Sequence, residues 1–274
     1  MSQAEYKHSE VIRHSEEHKF SEPRKYSPVL ESLLRVGISA TALVLVASEW
    51  SMALLLGLLF PAEPAPLYPL ARPGALLADH MMLCLGASLA AGVIGFVGGS
   101  FAYFRKGGFK ELILKLGAFA QTVPPVAVLA LLVPVMGFGN PPVLVALGLY
   151  GILPVIHGTL AGLESVPADI VDAARGLGMG RMVRFVKVEL PLAIPSVLAG
   201  LRTSVVVNVG TAAIGAAMGA GGLGRPIMAG LVQFKTSYMV QGALAAAVLA
   251  LALDALLRLL ETWLTRTSSF RTGS

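Results

Sequence analysis

The sequence predicts an all-α, polytopic membrane bundle of about six transmembrane helices, with a polar helical insert between the fourth and the fifth. Three observations carry that expectation. Of the 274 residues, 55% are hydrophobic and only 14% charged, against about a quarter charged in soluble domains. The mean hydropathy is +0.74. Six stretches approach the roughly 20 apolar residues that a hydrocarbon core requires of a helix.

Those spans run near 36–60, 81–104, 116–136, 142–163, 195–218 and 239–260. The first is interrupted by Glu49. Ahead of them, residues 1–32 are polar, mixed in charge and without the apolar segment of a signal peptide, so a flexible cytoplasmic tail is expected. The bundle then occupies 33–262, and 263–274 form a second cytoplasmic tail. His8, His14 and His18 fall in the first tail among Lys and Glu, with no further ligand nearby, and read as solvated side chains rather than a metal site. The lone Cys84 lies in an apolar stretch and forms no internal disulfide.

Lys and Arg set the orientation. With the N-terminus in the cytoplasm, that side holds 17 of them: six before the first span, four in 105–115, four in 164–190 and three after 257. The other side holds Arg72, Arg225 and Lys235. N-in, C-in is the expected topology. The net charge of +5 follows this pattern and carries no nucleic-acid signal.

Prolines 124, 125, 134 and 154 predict kinks, which a bundle tolerates when neighbours satisfy the freed backbone groups. Gly95 with Gly99, Gly158 with Gly162, and Gly215 with Gly219 are spaced to let helices approach closely.

Residues 164–191 are too polar for the bilayer. Ser165 is placed to cap a helix opening at Pro167, with Asp169 and Asp172 near its positive end. Ile170, Ala174 and Leu177 fall on one apolar face, and Gly178 or Gly180 stops the helix. A second segment, 181–189, mixes Arg181, Arg184 and Lys187 with Met182, Phe185 and Val186, and Pro191 ends it. Physics alone leaves three readings open: a helix on anionic lipid, a solvated loop, or a knob for a cytoplasmic partner.

Asp172-Ala173-Ala174, three residues, Gly178, nine residues, Val188, one residue and Leu190-Pro191 resembles the EAA loop of ABC importer permeases, with Asp172 where that family usually has Glu. The resemblance implies that 164–191 is a coupling helix seated in a separate ATP-hydrolysing subunit, with Asp172, Ala173, Ala174, Gly178, Leu190 and Pro191 as the coupling residues. GAFAQTVPPVAVLALLVPVMGFG (117–139), YGILPVIHGTLAGL (150–163) and VELPLAIPSVLAGLRTSVVVNVGTAAIGAAMGAGGLG (188–224) resemble the osmoprotectant branch, which moves glycine betaine, choline, carnitine and related quaternary amines. The likeness covers about 110–260. It implies a bacterial inner-membrane protein with a second, identical or homologous, permease subunit. It also implies an extracytoplasmic binding protein docking on loops 61–80 and 219–238, and no cofactor or catalytic residue in this chain.

Gly219, Gly221 and Gly224 spell a dinucleotide fingerprint, but without the strand that must precede it. No phosphate-binding G-x-x-x-x-G-K-[ST] occurs, so ATP-driven transport requires another chain. Gln121, Thr122, Asn208 and Thr211 are neutral, polar and intramembrane, and are the candidate pore-lining residues, since cargo must also leave. Aromatic residues are only 7% and scattered, which gives no cage for a quaternary ammonium; the tight site is expected on the binding protein. Arg202 is expected to snorkel, Asp254 to pair with Arg258, and His157 to pack with one hydrogen bond. Glu49 marks an early helix end, faces another helix or serves transport. The alternatives are the same architecture for phosphonate, taurine, methionine or nitrate, an ion-coupled secondary transporter, or a scaffold without cargo.

Overall fold

The computed structural model describes residues 28–105 and 108–269; His8, His14 and His18 lie outside them. The helices are α1 (Pro28–Ala47), α2 (Glu49–Leu59), α3 (Pro73–Arg105), α4 (Gly108–Thr122), α5 (Pro125–Met136), α6 (Asn140–Glu164), α7 (Ala168–Gly176), α8 (Arg181–Arg184), α9 (Leu190–Ala212), α10 (Gly224–Gln233) and α11 (Thr236–Ser269). A π-helical turn, Phe185–Glu189, joins α8 to α9, and a 3-10 turn, Ala213–Met218, follows α9. Among the described residues no strand occurs.

Two ends of the bundle are defined by contacts. At one, Lys110 pairs with Glu164, and the Arg181 guanidinium donates to the Phe104 carbonyl at 2.7 Å. This loop end therefore gathers the end of α3, the starts of α4 and α8, and the end of α6. At the far end, the Gly139 N–H donates to the Met218 carbonyl at 2.8 Å, and Glu63 accepts from the Ser237 hydroxyl at 2.6 Å.

Five stretches are long and apolar enough to cross a membrane: Val29–Ala47, Pro73–Arg105, Asn140–Glu164, Arg181–Met218 and Thr236–Leu264. The sixth is not the single helix expected near 116–136. It is α4 and α5, bent by 90°. Pro124 and Pro125 cause the bend, because neither has an N–H to donate and each pushes the preceding residue out of the helical region. The first span is broken beside Glu49, as its sequence suggests. Ser48 caps α2, its Oγ accepting from the Ser51 N–H at 3.5 Å, and the exposed Glu49 carboxylate lies 3.8 Å from Arg72. Helix begins at Pro28 and persists to Ser269, so it enters both stretches expected to be tails.

The core forms where α6 packs between α3 and α9. Glycines set these seams. A Cβ on Gly158 would lie 2.5 Å from the Ser196 carbonyl and 2.9 Å from Gly200 Cα; one on Gly95 would lie 2.8 Å from the Ile152 carbonyl; one on Gly99 would lie 2.8 Å from Thr159 Cβ. Toward the far end a larger apolar cluster includes Leu56, Leu76, Leu83, Leu147, Leu223 and Leu249. His80, fully buried, bridges it. Its Nε2 lies 3.0 Å from the Val209 carbonyl and its Nδ1 accepts the Leu223 N–H at 3.2 Å. The ring is thus held as the neutral Nε2–H tautomer and ties α3 and α9 to the loop before α10.

Gly158→Ala should destabilise the purified protein by about 1–3 kcal/mol, because backbone atoms block the added methyl. Gly148→Ala, whose Cβ would meet nothing within 4 Å, should change stability by less than about 0.5 kcal/mol. Thermal unfolding in one detergent compares the two; equal effects would dissolve the seam argument.

Candidate coupling site and translocation path

The insert is a short helix, a tight stop and a return. α7 opens after Pro167 with no side-chain cap. Ser165 instead closes α6: its Oγ donates to the Gly162 carbonyl at 2.8 Å, and its φ/ψ of −80/−8 is helical rather than the extended geometry an N-cap needs. The expected cap is therefore corrected. Gly178 ends α7 at φ +78. The Met179 N–H reaches the Ala174 carbonyl at 3.2 Å and the Gly178 N–H reaches Arg175 at 3.0 Å, the paired bonds of a Schellman stop.

The remaining coupling candidates divide by role. Asp172 is exposed and pairs with Arg175 at 2.9 Å. Ala173 is exposed and Ala174 buried, so Ala174 seats α7 and Ala173 faces outward. Leu190 packs on Leu163, Phe185 and Ala193. Pro191 does not end the second segment. It lies in the first turn of α9, where a missing N–H is tolerated. The π turn carries the helix past it, the Leu190 N–H bonding the Phe185 carbonyl, and one rod runs from Arg181 to Met218. The expected apolar face is also divided: Ala174 is buried, whereas Ile170 and Leu177 are exposed. Leu177 at 77%, Met182 at 65% and Val186 at 53% form an outward apolar surface on an otherwise charged knob.

A buried ion pair anchors this knob. Glu189 is 1% exposed and accepts from Arg184 Nε at 2.6 Å; the Tyr103 hydroxyl also hydrogen-bonds it. Above the pair, Arg181 stacks over the Phe104 ring at 4.6 Å, and Phe104 contacts Phe185 with ring centroids 4.8 Å apart. By sequence Arg181 and Arg184 are basic residues of an exposed segment; the signal for the buried pair is Glu189, an acid five residues after Arg184 beside an apolar run.

The pore candidates do not share one surface. Gln121 and Thr122 are exposed at the α4–α5 break. Gln121 Nε2 donates to the Tyr150 carbonyl at 3.4 Å, the Tyr150 hydroxyl donates to the Val123 carbonyl, and Thr122 donates to Phe119 at 2.7 Å. Thr211 is half-buried and donates to the Val207 carbonyl at 2.9 Å. Asn208 is fully buried among α3, α6 and α9, donating to Ser88 Oγ at 2.9 Å. Its place is in the packing, not on an open surface. Arg202 does not snorkel freely: it meets Asp254 at 3.3 Å and Glu261 at 3.0 Å, while Arg258 holds Asp254 at 2.8 Å as its spacing predicts. His157 is exposed rather than packed. Gly219 and Gly222 take positive φ in a far-end loop that follows helix, not strand. Among the described residues no group of three or more His, Cys, Asp or Glu is placed to hold a metal.

Residues 91–266 match the binding-protein-dependent transport system inner membrane components. The chain belongs to that family. The permease is 38% identical over 179 residues to the osmoprotectant import permease protein OsmY of Salmonella typhimurium, covering 65% of this chain and 76% of that one. It is 36% identical to the choline transport system permease protein OpuBD of Bacillus subtilis, covering 71% and 86%. Against the glycine betaine/carnitine/choline permease OpuCB of Bacillus subtilis the identity is 37%, over 52% of this chain and 65% of that one. Its fold resembles inward-facing structures of the MetNI methionine ABC transporter, with a TM-score of 0.57 at 20% identity over 66% of this chain and 93% of that one.

Removing one partner of the buried pair leaves an uncompensated charge. Arg184→Met should cost the permease about 3–5 kcal/mol, and Arg184→Met with Glu189→Leu should recover most of it. The folded fraction surviving a heat step, followed by size-exclusion chromatography, reads both variants.

Proposed function

We propose that the permease carries quaternary-amine osmoprotectants, glycine betaine, choline or close relatives, in an importer whose ATP-hydrolysing subunits are separate chains docked on residues 164–191. The observation that carries this is the outward apolar surface of Leu177, Met182 and Val186 on a knob that continues as one helical rod to the far end. Apolar side chains on a charged, membrane-edge knob gain by entering a partner's groove. A rigid rod then passes their displacement to the far end, as alternation between facing states requires. Asp172, Ala173 and Gly178 present the knob; Ala174, Leu190 and Pro191 fix its base.

The cargo class is supported by the relatives' substrates, and the neutral groups proposed to meet it are Gln121 and Thr122 at the α4–α5 break and Thr211 on α9. A second permease subunit covers the polar side chains of Gln121 and Thr122 that stand exposed at the α4–α5 break, where hydrocarbon is a poor solvent for them. A binding protein docks at the far end. The loop end lies in the cytoplasm, with both termini there. The second reading is this architecture with another small solute, favoured by the structural likeness to a methionine transporter. Gradient-driven transport finds less support, since Asp254 and Glu261 are already neutralised by Arg202 and Arg258.

Asp172→Lys and Gly178→Leu should each lower uptake of labelled glycine betaine and choline by about tenfold or more, the effect of losing roughly 1.4 kcal/mol of coupling, while the protein still inserts. Normal uptake in both would remove the docking assignment, and uptake of methionine alone would replace the cargo. For orientation, a membrane-impermeant maleimide should label Phe234→Cys on intact cells and Leu177→Cys only after lysis.

A further inference from the structure

Beside the knob lies a cleft of about 540 Å³ that the coupling role leaves unused. Arg105, Arg175, Arg181 and Arg184 line it, with Glu189 at its base. Glu189 is committed to Arg184 and Asp172 to Arg175; four guanidinium groups against two carboxylates leave two positive charges. Bare cationic clefts at a membrane edge attract phosphate groups, and Arg matches phosphate oxygens with paired donors.

The helix below supplies the second half of the site. On α3, Val93, Ile94, Val97 and Phe101 are 59%, 55%, 60% and 45% exposed, and the four-residue spacing of Val97, Phe101 and Arg105 makes one ridge rising to the cleft. The Arg105 guanidinium lies over the Phe101 ring at 5.2 Å. An apolar ridge ending in a cationic cleft has the form of a phospholipid, acyl chain below and phosphate above. We infer that this cleft binds the phosphate headgroup of an anionic phospholipid, whose chain lies along α3. The inference rests on the chain's place in the membrane and on neither the cargo nor the orientation proposed above.

The test counts phosphatidylglycerol and phosphatidylcholine retained by the full-length chain in mixed micelles, by native mass spectrometry. Phosphatidylglycerol should be retained over phosphatidylcholine. Arg105→Gln with Arg181→Gln should weaken it by about 30-fold, the ~2 kcal/mol of two basic side chains at an anionic surface. Arg105→Lys with Arg181→Lys should keep most of it, which separates lost charge from lost fold, and Arg72→Gln at the far end should change nothing. Equal retention of the two lipids, or indifference to the double Gln variant, overturns the inference. So does displacement by micromolar inorganic phosphate, which would make the occupant a soluble anion. Loss of the lipid on assembly with an ATP-hydrolysing subunit would put a protein carboxylate in the cleft and overturn it as well.

Discussion

The fold depends on how closely α6 approaches α3 and α9. Lipid tails are as apolar as Leu, so burying Leu does not by itself draw two membrane helices together; close van der Waals contact does. At Gly158 and Gly200 the two backbones meet with no side chain between them, and a Cβ on Gly200 would lie 2.6 Å from the Pro154 carbonyl. Small residues at Gly95 and Gly99 repeat the arrangement on the opposite side of α6. The central helix is thereby clasped by its two neighbours, and the remaining elements are placed relative to that three-helix unit. The Asn208–Ser88 hydrogen bond crosses from α9 to α3 about two turns farther along. It adds a directional contact to seams that otherwise fit by shape.

Packing this tight exposes a second constraint, the need to satisfy backbone groups where prolines interrupt helices. Pro154 has no N–H for the Tyr150 carbonyl, and that carbonyl accepts Gln121 from across the α4–α5 break. The Val123 carbonyl, freed by the two prolines that follow it, accepts the Tyr150 hydroxyl. Two interruptions on different helices therefore repair each other. This explains how a bent segment with an exposed polar break is held against α6. It also gives Gln121 a structural duty beside its proposed place on the path.

The sequence made legible what depends on composition and spacing. Five long apolar spans, the Gly95–Gly99 and Gly158–Gly162 seams, the Glu49 break, the Asp254–Arg258 pair and the glycine stop at Gly178 all follow from local rules that tertiary context does not overturn. The expected sixth span, by contrast, is bent by 90°, and Gly219 lies in a loop rather than a seam. What stayed hidden depends on which side of a helix faces a neighbour. Arg202 reads as a snorkelling residue until Glu261, 59 positions later, proves to lie against it. Asn208 reads as a pore residue until three helices close over it. Ser165 reads as an N-cap because the residue type suits one, yet α6 runs on to claim it. Pro191 reads as a terminator because the π turn that carries the helix past it has no sequence signature.

That π turn links fold to function. A helix entering from an aqueous loop and passing a proline would ordinarily bend or stop there. Here an i-to-i+5 turn absorbs the mismatch, and such bulges recur at functional sites. Glu189 closes the turn and points inward to Arg184, where Tyr103 on α3 also reaches it. Burying a carboxylate is tolerable only with partners this close, so the geometry of the turn, the pair and the end of α3 are fixed together. The consequence is a stiff joint where a soluble knob becomes a membrane helix. Under the proposed coupling role, a joint held in this way carries a displacement of the knob into the whole rod, where a flexible one would let the knob move alone.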